Sequence, residues 1–186
     1  MPVFQSTRRV HHSADEMFDL VADMERYPEF VPLCVRNVIR SRELRGASEV
    51  VTTEMTVAYA LFRETFRNCI TLDRAGRRIL VESTDGPLRQ LRIEWTFQSQ
   101  ADNSCEVGLR LNYELASRTL ALLMQSVFDA AFSRLAEAFQ RRADAVYRGR
   151  LSASSAQWPC HDHVGERVGT IPSLPSRRKK KMNAAF

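Results

Sequence analysis

The sequence predicts an α+β fold, in which a curved antiparallel sheet of about seven strands wraps around one long C-terminal helix. Three patterns predict it. Two short helical segments follow a first strand, apolar and polar residues alternate through the middle of the chain, and a long apolar stripe with helical spacing comes last. The 186 residues, 44% of them hydrophobic, suffice for one domain with a buried core.

A capping signal marks the beginning of the first helix. Ser13 and Glu16 have the spacing of a capping box, and apolar residues at helical spacing follow as far as about Asp23. Residues 3–11, before this signal, are compatible with the first strand. Within residues 27–32 two prolines bracket a second, very short helical turn. Two short helices in succession indicate a lid or a brace rather than a bundle.

The middle of the chain has the period of strands. Apolar residues alternate with polar ones over residues 51–61, 90–98 and 105–115. Turn-forming residues interrupt the pattern at four places, which are 45–48, 73–76, 85–87 and 101–103. We therefore expect about six antiparallel strands after the short helices, each with one apolar face turned inward.

A single long helix is predicted from about residue 118 to residue 147. Apolar residues recur there at steps of three and four, and charged residues occupy the opposite side. One helix cannot fill the concave side of so wide a sheet. We therefore expect an apolar cavity between helix and sheet, with its mouth near the short helices and the hairpin ends.

Charge separates the chain into a domain at 1–148 and a basic tail at 149–186. The domain holds 20 arginines and 20 acidic residues, so the whole net charge of +5 lies in the tail. A neutral domain lacks the basic face that DNA backbones select, so no specific DNA binding is expected. The tail loses all periodicity and is predicted to be disordered, and its cluster at 177–181 is the part suited to RNA or anionic lipid.

The sequence offers no recognisable catalytic or metal site. His11 and His12 are adjacent on a strand and point to opposite faces, without a nucleophile at a motif spacing. Residues 160–163 combine a cysteine, two histidines and an aspartate but lack the spacing of structural zinc sites. We therefore expect no catalytic residues, no metal and no cofactor.

The four cysteines and the apolar runs indicate the compartment. The cysteines are widely spaced, so reduced and largely buried thiols are expected rather than disulfides. No apolar run approaches the roughly 20 residues of a membrane span, and the N-terminus lacks the pattern of a secretory signal. A cytoplasmic protein is the expectation.

Several motifs occur in order along the chain. They are Tyr-Pro-Glu-Phe-Val-Pro at 27–32 with Cys34 after it, Asp-Gly-Pro-Leu at 85–88 followed by Leu91, Trp95 and Phe97, then Cys105, the pair Val127 and Phe128, and a closing motif within 138–147. Over residues 3–148 the chain thereby resembles the START-like, helix-grip superfamily, and within it the coenzyme Q-binding branch that also contains ribosome association toxins.

The resemblance implies binding of ubiquinone or a similar isoprenoid lipid without chemistry, in support of respiratory electron transport. It equally allows a translation inhibitor that contacts the large ribosomal subunit, and less readily a polyketide cyclase-type enzyme. A quinone carrier would also make peripheral contact with the inner membrane. Residues 27–32 would then gate the cavity or meet the membrane, although a rigid connector explains them as well.

Apolar residues of the predicted inward faces are the candidates for the cavity wall. They are Phe18, Phe30, Val31, Met55, Val57, Tyr59, Trp95, Leu109, Leu111, Tyr113, Met124, Val127, Phe128 and Phe132. Each would serve equally well as ordinary core packing, because periodicity does not distinguish a core from a cavity wall. Tyr59 and Tyr113 are the candidates for contact with a quinone head, since a buried phenol needs a hydrogen-bond partner.

Overall fold

The computed structural model describes residues 3–151, except for the side chains of residues 118–125, 128 and 148–151. Most of the predicted tail, with the clusters at 160–163 and 177–181, lies outside the described residues.

Seven antiparallel strands and two α-helices make up the fold. In chain order these are β1 (Val3–Val10), α1 (Ala14–Ala22), a 3₁₀ helix (Met24–Glu29), β2 (Cys34–Arg45), β3 (Ser48–Tyr59), β4 (Phe62–Asp73), β5 (Arg78–Ser83), β6 (Leu88–Ser99), β7 (Cys105–Leu115) and α2 (Arg118–Leu151). The strands lie side by side in the order β1-β7-β6-β5-β4-β3-β2. The predicted fold class is confirmed, including the number of strands and the closing helix.

The first helix begins where the capping box predicts. The backbone amide of Glu16 donates to Ser13 Oγ over 3.2 Å, and the amide of Ser13 donates to Glu16 Oε2 over 2.9 Å. The second helix begins earlier than predicted, at Met24, and contains Pro28 rather than beginning there. It is a 3₁₀ helix that starts almost directly after α1, so the two prolines do not bracket it.

One hairpin escaped the sequence pattern. Residues 51–61 alternate as if they formed one strand, yet the chain reverses at Ala60 and Leu61, with Tyr59 paired to Phe62. Ala60 has a φ of 51°, a conformation that glycine or asparagine usually supplies. Because neither residue type is present at this turn, no turn signal was visible.

The C-terminal half of α2 is joined to the N-terminal segment. His12 Nε2 lies 2.8 Å from Asp144 Oδ1, and the Tyr147 hydroxyl donates to the carbonyl oxygen of Glu16 over 3.1 Å. His12 is buried and His11 is exposed, as their adjacent positions predicted. These contacts hold α2 across the concave face of the sheet.

The cysteines differ from the expectation at one position. Cys34 and Cys105 are buried, whereas Cys69 is exposed. The reason is the alternation of β4, in which the neighbours Asn68 and Ile70 turn inward and Cys69 therefore turns outward. The prediction of a largely buried thiol was wrong for Cys69.

Candidate functional site

An apolar cavity lies between the concave face of the sheet and α2. Its volume is about 110 Å³, somewhat less than the roughly 150 Å³ of a dry cavity that holds one benzene molecule. Its wall consists of Met24, Tyr27, Val31, Pro32, Leu33, Asn37, Met55, Val57, Phe66, Asn68, Ile70, Ile79, Val81, Pro87, Leu88, Leu91, Ile93, Trp95, Ala131, Phe132, Leu135 and Phe139. The space is of the size of one small ring, so a larger ligand would have to displace side chains.

The loop before β2 forms one side of the cavity. Val31, Pro32 and Leu33 are half-buried there, and the carbonyl oxygen of Leu33 accepts a hydrogen bond from the amide of Ala58 over 2.9 Å. This bond places the loop beside the end of β3. The cavity therefore approaches the surface between this loop and the hairpin that joins β3 to β4.

Aromatic packing holds the segment before this loop against α2. The Phe139 ring lies 5.4 Å from Tyr27, 5.0 Å from Phe30 and 4.9 Å from Trp95, measured between centroids, in edge-to-face arrangements. Tyr27 also donates its hydroxyl to the carbonyl oxygen of Val21, and burial raises the pKa of this phenol far above its ordinary value. Tyr27 and Phe30 are thus anchored to the core.

Five of the predicted wall residues lie in the wall of the cavity. They are Val31, Met55, Val57, Trp95 and Phe132. Their contact with a ligand stays a prediction.

Other predicted wall residues belong to the surrounding core. Phe18 packs edge-on against Phe97 on the far side of the sheet end, and Leu109 and Leu111 are buried on β7 away from the cavity. Phe30 is half-buried on Phe139, and Val127 packs against the core. The side chains of Met124 and Phe128 lie outside the described part of α2.

The two tyrosines predicted to contact a quinone head lie outside the cavity wall. Tyr59 is 49% exposed because β3 ends there in the unpredicted hairpin. Tyr113 is buried, but its hydroxyl already donates to Asp129 Oδ1 over 2.8 Å. Burial, and then this bond to Asp129, raise the pKa of Tyr113 well above its ordinary value.

Two asparagines in the cavity wall were missed by the sequence analysis. Asn37 and Asn68 are 5% and 2% exposed, and the side-chain oxygen of each has no hydrogen-bond partner among the described residues. For Asn68 a signal existed, because it shares the inward face of β4 with Phe66 and Ile70. For Asn37 none was visible.

The described acidic residues of the strands do not provide catalytic groups in the cavity. Glu64 is exposed, and the hydrogen bond from Arg40, at 2.7 Å, holds the pKa of Glu54 below its ordinary value. Among residues 3–151 with described side chains, no group of three or more histidine, cysteine or acidic residues is arranged to hold a metal ion. In the same part of the chain, no helix is both long and apolar enough to span a membrane.

Comparison with known proteins agrees with this geometry. A family model described as polyketide cyclase / dehydrase and lipid transport matches residues 10–140. The ribosome association toxin RatA of Vibrio cholerae is 34% identical over 138 residues, which are 74% of this chain and 92% of the toxin. The mitochondrial coenzyme Q-binding protein COQ10 of Dictyostelium discoideum is 24% identical over 145 residues, 77% of this chain and 69% of that protein.

A solved structure has the same fold. A START-superfamily protein from Mycobacterium smegmatis superposes with a TM-score of 0.64 at 17% identity, over 77% of this chain and 98% of that one. With residues 10–140 matched by the family model, the chain belongs to the polyketide cyclase / dehydrase and lipid transport family and has the START-like, helix-grip fold.

Proposed function

We propose that this protein binds an isoprenoid quinone, ubiquinone or a close analogue, without performing chemistry on it. The observation that carries the proposal is the cavity, whose described wall is apolar apart from two buried amides and the polar atoms of Tyr27 and Trp95. Few polar groups and much apolar surface are what a quinone head with an isoprenoid tail needs. The likeness to the coenzyme Q-binding protein of Dictyostelium supports this choice.

The size of the cavity determines how such a ligand would bind. A volume of about 110 Å³ admits little more than a ring, so the head enters the cavity and the tail leaves along the loop 31–33. Each Å² of tail removed from water contributes about 25 cal/mol, so even a partly covered tail adds affinity. Small rotamer changes of half-buried residues such as Met55 would enlarge the space for the ring substituents.

Extraction and titration test the proposal. Protein purified from the cells that naturally produce it should release quinone into organic solvent, identified by mass spectrometry. Val81→Phe adds a ring to the cavity wall and should abolish uptake of a short-tail ubiquinone analogue. Val38→Phe adds the same volume at a half-buried position outside that wall and should bind normally. Absence of extractable quinone together with no uptake by the unaltered protein would refute the proposal.

Peripheral membrane contact follows from the same proposal, because quinones reside in bilayers. The hairpin beside the cavity carries Leu61, which is fully exposed at 103%, and Tyr59. Arg63, also exposed, forms no ion pair with any described residue and suits an anionic headgroup. We infer that this hairpin touches the inner membrane while the ligand enters.

Flotation with liposomes tests the membrane contact. Leu61→Asp should reduce binding to vesicles of phosphatidylcholine and phosphatidylglycerol. The matched control is Leu44→Asp, since Leu44 is 85% exposed beside the hairpin at the opposite end of β3. Equal flotation of both variants and the unaltered protein would contradict the assignment to this hairpin.

A second candidate function is association with the large ribosomal subunit. It is favoured by the 34% identity to the Vibrio ribosome association toxin, of which the matched region covers 92%. It predicts co-sedimentation with purified large subunits that weakens as salt rises, because counterions compete with arginines for phosphate. Protein that stays in the light fractions at low salt would exclude it, and Val81→Phe should leave any such co-sedimentation unchanged.

A further inference from the structure

Two buried amides are the side chains in the cavity wall that have an unused hydrogen-bonding atom. The oxygens Asn37 Oδ1 and Asn68 Oδ1 have no partner among the described residues, and both residues are more than nine-tenths buried. A buried acceptor without a donor costs free energy, so natural proteins keep such atoms at few positions, often functional ones. Two in one apolar cavity indicate a ligand that supplies the missing bonds.

The orientation of the Asn37 amide is determined by its neighbour. Asn37 Nδ2 donates to the carbonyl oxygen of Met24 over 3.0 Å. A carbonyl oxygen accepts and never donates, so the atom facing it must be the NH₂ group. Asn37 therefore presents an oxygen to the cavity, and that oxygen requires a donor.

The orientation of the Asn68 amide is open. Its described partner is Thr53 Oγ1, 3.5 Å from Asn68 Nδ2, and a hydroxyl both donates and accepts. The amide can rotate by half a turn and keep this contact. Asn68 therefore offers either a donor or an acceptor, according to the ligand.

We propose that Asn37 Oδ1 accepts a hydrogen bond from a ring hydroxyl, so that the cavity prefers the reduced hydroquinone to the oxidised quinone. This inference rests on the proposed function. The oxidised ring carries carbonyl and methoxy oxygens, which are acceptors, and it would leave Asn37 Oδ1 unpaired. The reduced ring carries O–H donors. Asn68 adapts to either form and contributes to affinity without discriminating between them.

Paired titrations test the preference. The probes are a short-tail ubiquinone analogue and its hydroquinone, kept reduced under anaerobic conditions, with binding followed by calorimetry. One hydrogen bond made in place of an unpaired acceptor should favour the reduced form by about tenfold. By linkage, the midpoint potential of the bound couple should rise by about 30 mV for a tenfold preference in a two-electron couple.

Substitutions localise the effect. Asn37→Leu removes the acceptor at similar volume and should bind both forms equally, whereas Asn68→Leu should weaken both by a similar factor. Asn112→Leu is the matched control, because Asn112 Oδ1 is also buried and unpaired among the described residues but lies outside the cavity wall. If Asn37→Leu fails to fold, the midpoint potential of the unaltered protein still decides.

The outcomes separate this inference from the function on which it rests. Binding of neither form overturns both. Binding of both forms with equal affinity, as expected if a buried water already pairs with Asn37, overturns the preference alone. Tighter binding of the oxidised form also overturns it and leaves the quinone-binding function standing.

Discussion

Glu29 and Arg142 are 113 positions apart in the chain, yet Arg142 Nη2 lies 2.6 Å from Glu29 Oε2. The same guanidinium lies over the ring of Phe30, 5.5 Å from its centroid. The contact joins the 3₁₀ segment beside the cavity to α2. It closes this side of the cavity by an ion pair and a cation–π contact at once.

Loss of this contact should loosen the segment more than it destabilises the protein. The pair is partly exposed, with side-chain exposures of 20% and 48%, so Arg142→Gln should lower the free energy of unfolding by only about 0.5–1 kcal/mol. Release of a bound quinone analogue, measured by stopped-flow, should become faster. Arg141→Gln is the control, since Arg141 pairs with Glu137 within α2. Equal release rates for the two variants would contradict a role for Arg142 in closing the cavity.

Phe139 should be among the most sensitive positions of the core. Its side chain is 2% exposed and contacts the rings of Tyr27, Phe30 and Trp95. Phe139→Ala should lower the free energy of unfolding by about 3–5 kcal/mol, and Phe139→Leu by less, as measured by urea denaturation.

A surface position on the same helix serves as the control for Phe139. Val146 is 47% exposed, so Val146→Ala should change the free energy of unfolding by no more than about 0.5 kcal/mol. A Phe139→Ala variant as stable as Val146→Ala would mean that the aromatic cluster is not packed as described.

The turn between β3 and β4 should tolerate glycine better than its natural residue. Ala60 has a φ of 51°, where a side chain costs about 1–2 kcal/mol, and glycine avoids that strain at a smaller entropic cost. Ala60→Gly should therefore raise the free energy of unfolding by about 0.5–1 kcal/mol. Ala58→Gly, within β3, should lower it instead. A destabilising Ala60→Gly in chemical denaturation would speak against this backbone conformation.

Stability should fall in alkaline solution. Burial raises the pKa of the Cys34 thiol to about 11 and that of the Cys105 thiol to about 11, against about 8.5 in an unfolded chain. The unfolded state therefore releases these protons first, so the free energy of unfolding should decline as pH rises from about 8.5 to about 11. The raised pKa values of Tyr27 and Tyr113 act in the same direction.

A cysteine variant separates the thiol contribution from other alkaline effects. Cys34→Ala should flatten the decline, whereas Val107→Ala, a buried apolar truncation, should lower stability equally at every pH. Parallel curves for Cys34→Ala and the unaltered protein between pH 8 and 11 would contradict the burial of this thiol.

Local patterns in the sequence were enough to predict most of the secondary structure. The capping box at Ser13 and Glu16 and the alternation over 90–98 and 105–115 depend on neighbours within a few residues, and they led to the correct elements. The hairpin at Ala60 was missed because its turn uses a residue type that carries no turn signal.

The sequence by itself therefore determined the order of the elements and their inward faces, because those follow from short-range periodicity. Tertiary structure alone decided where the cavity lies and which groups face it. Tyr113 found its partner in Asp129, and Asn37 was oriented by Met24, through contacts between separate elements. Such contacts depend on how strands and helices pack, which no spacing along the chain records.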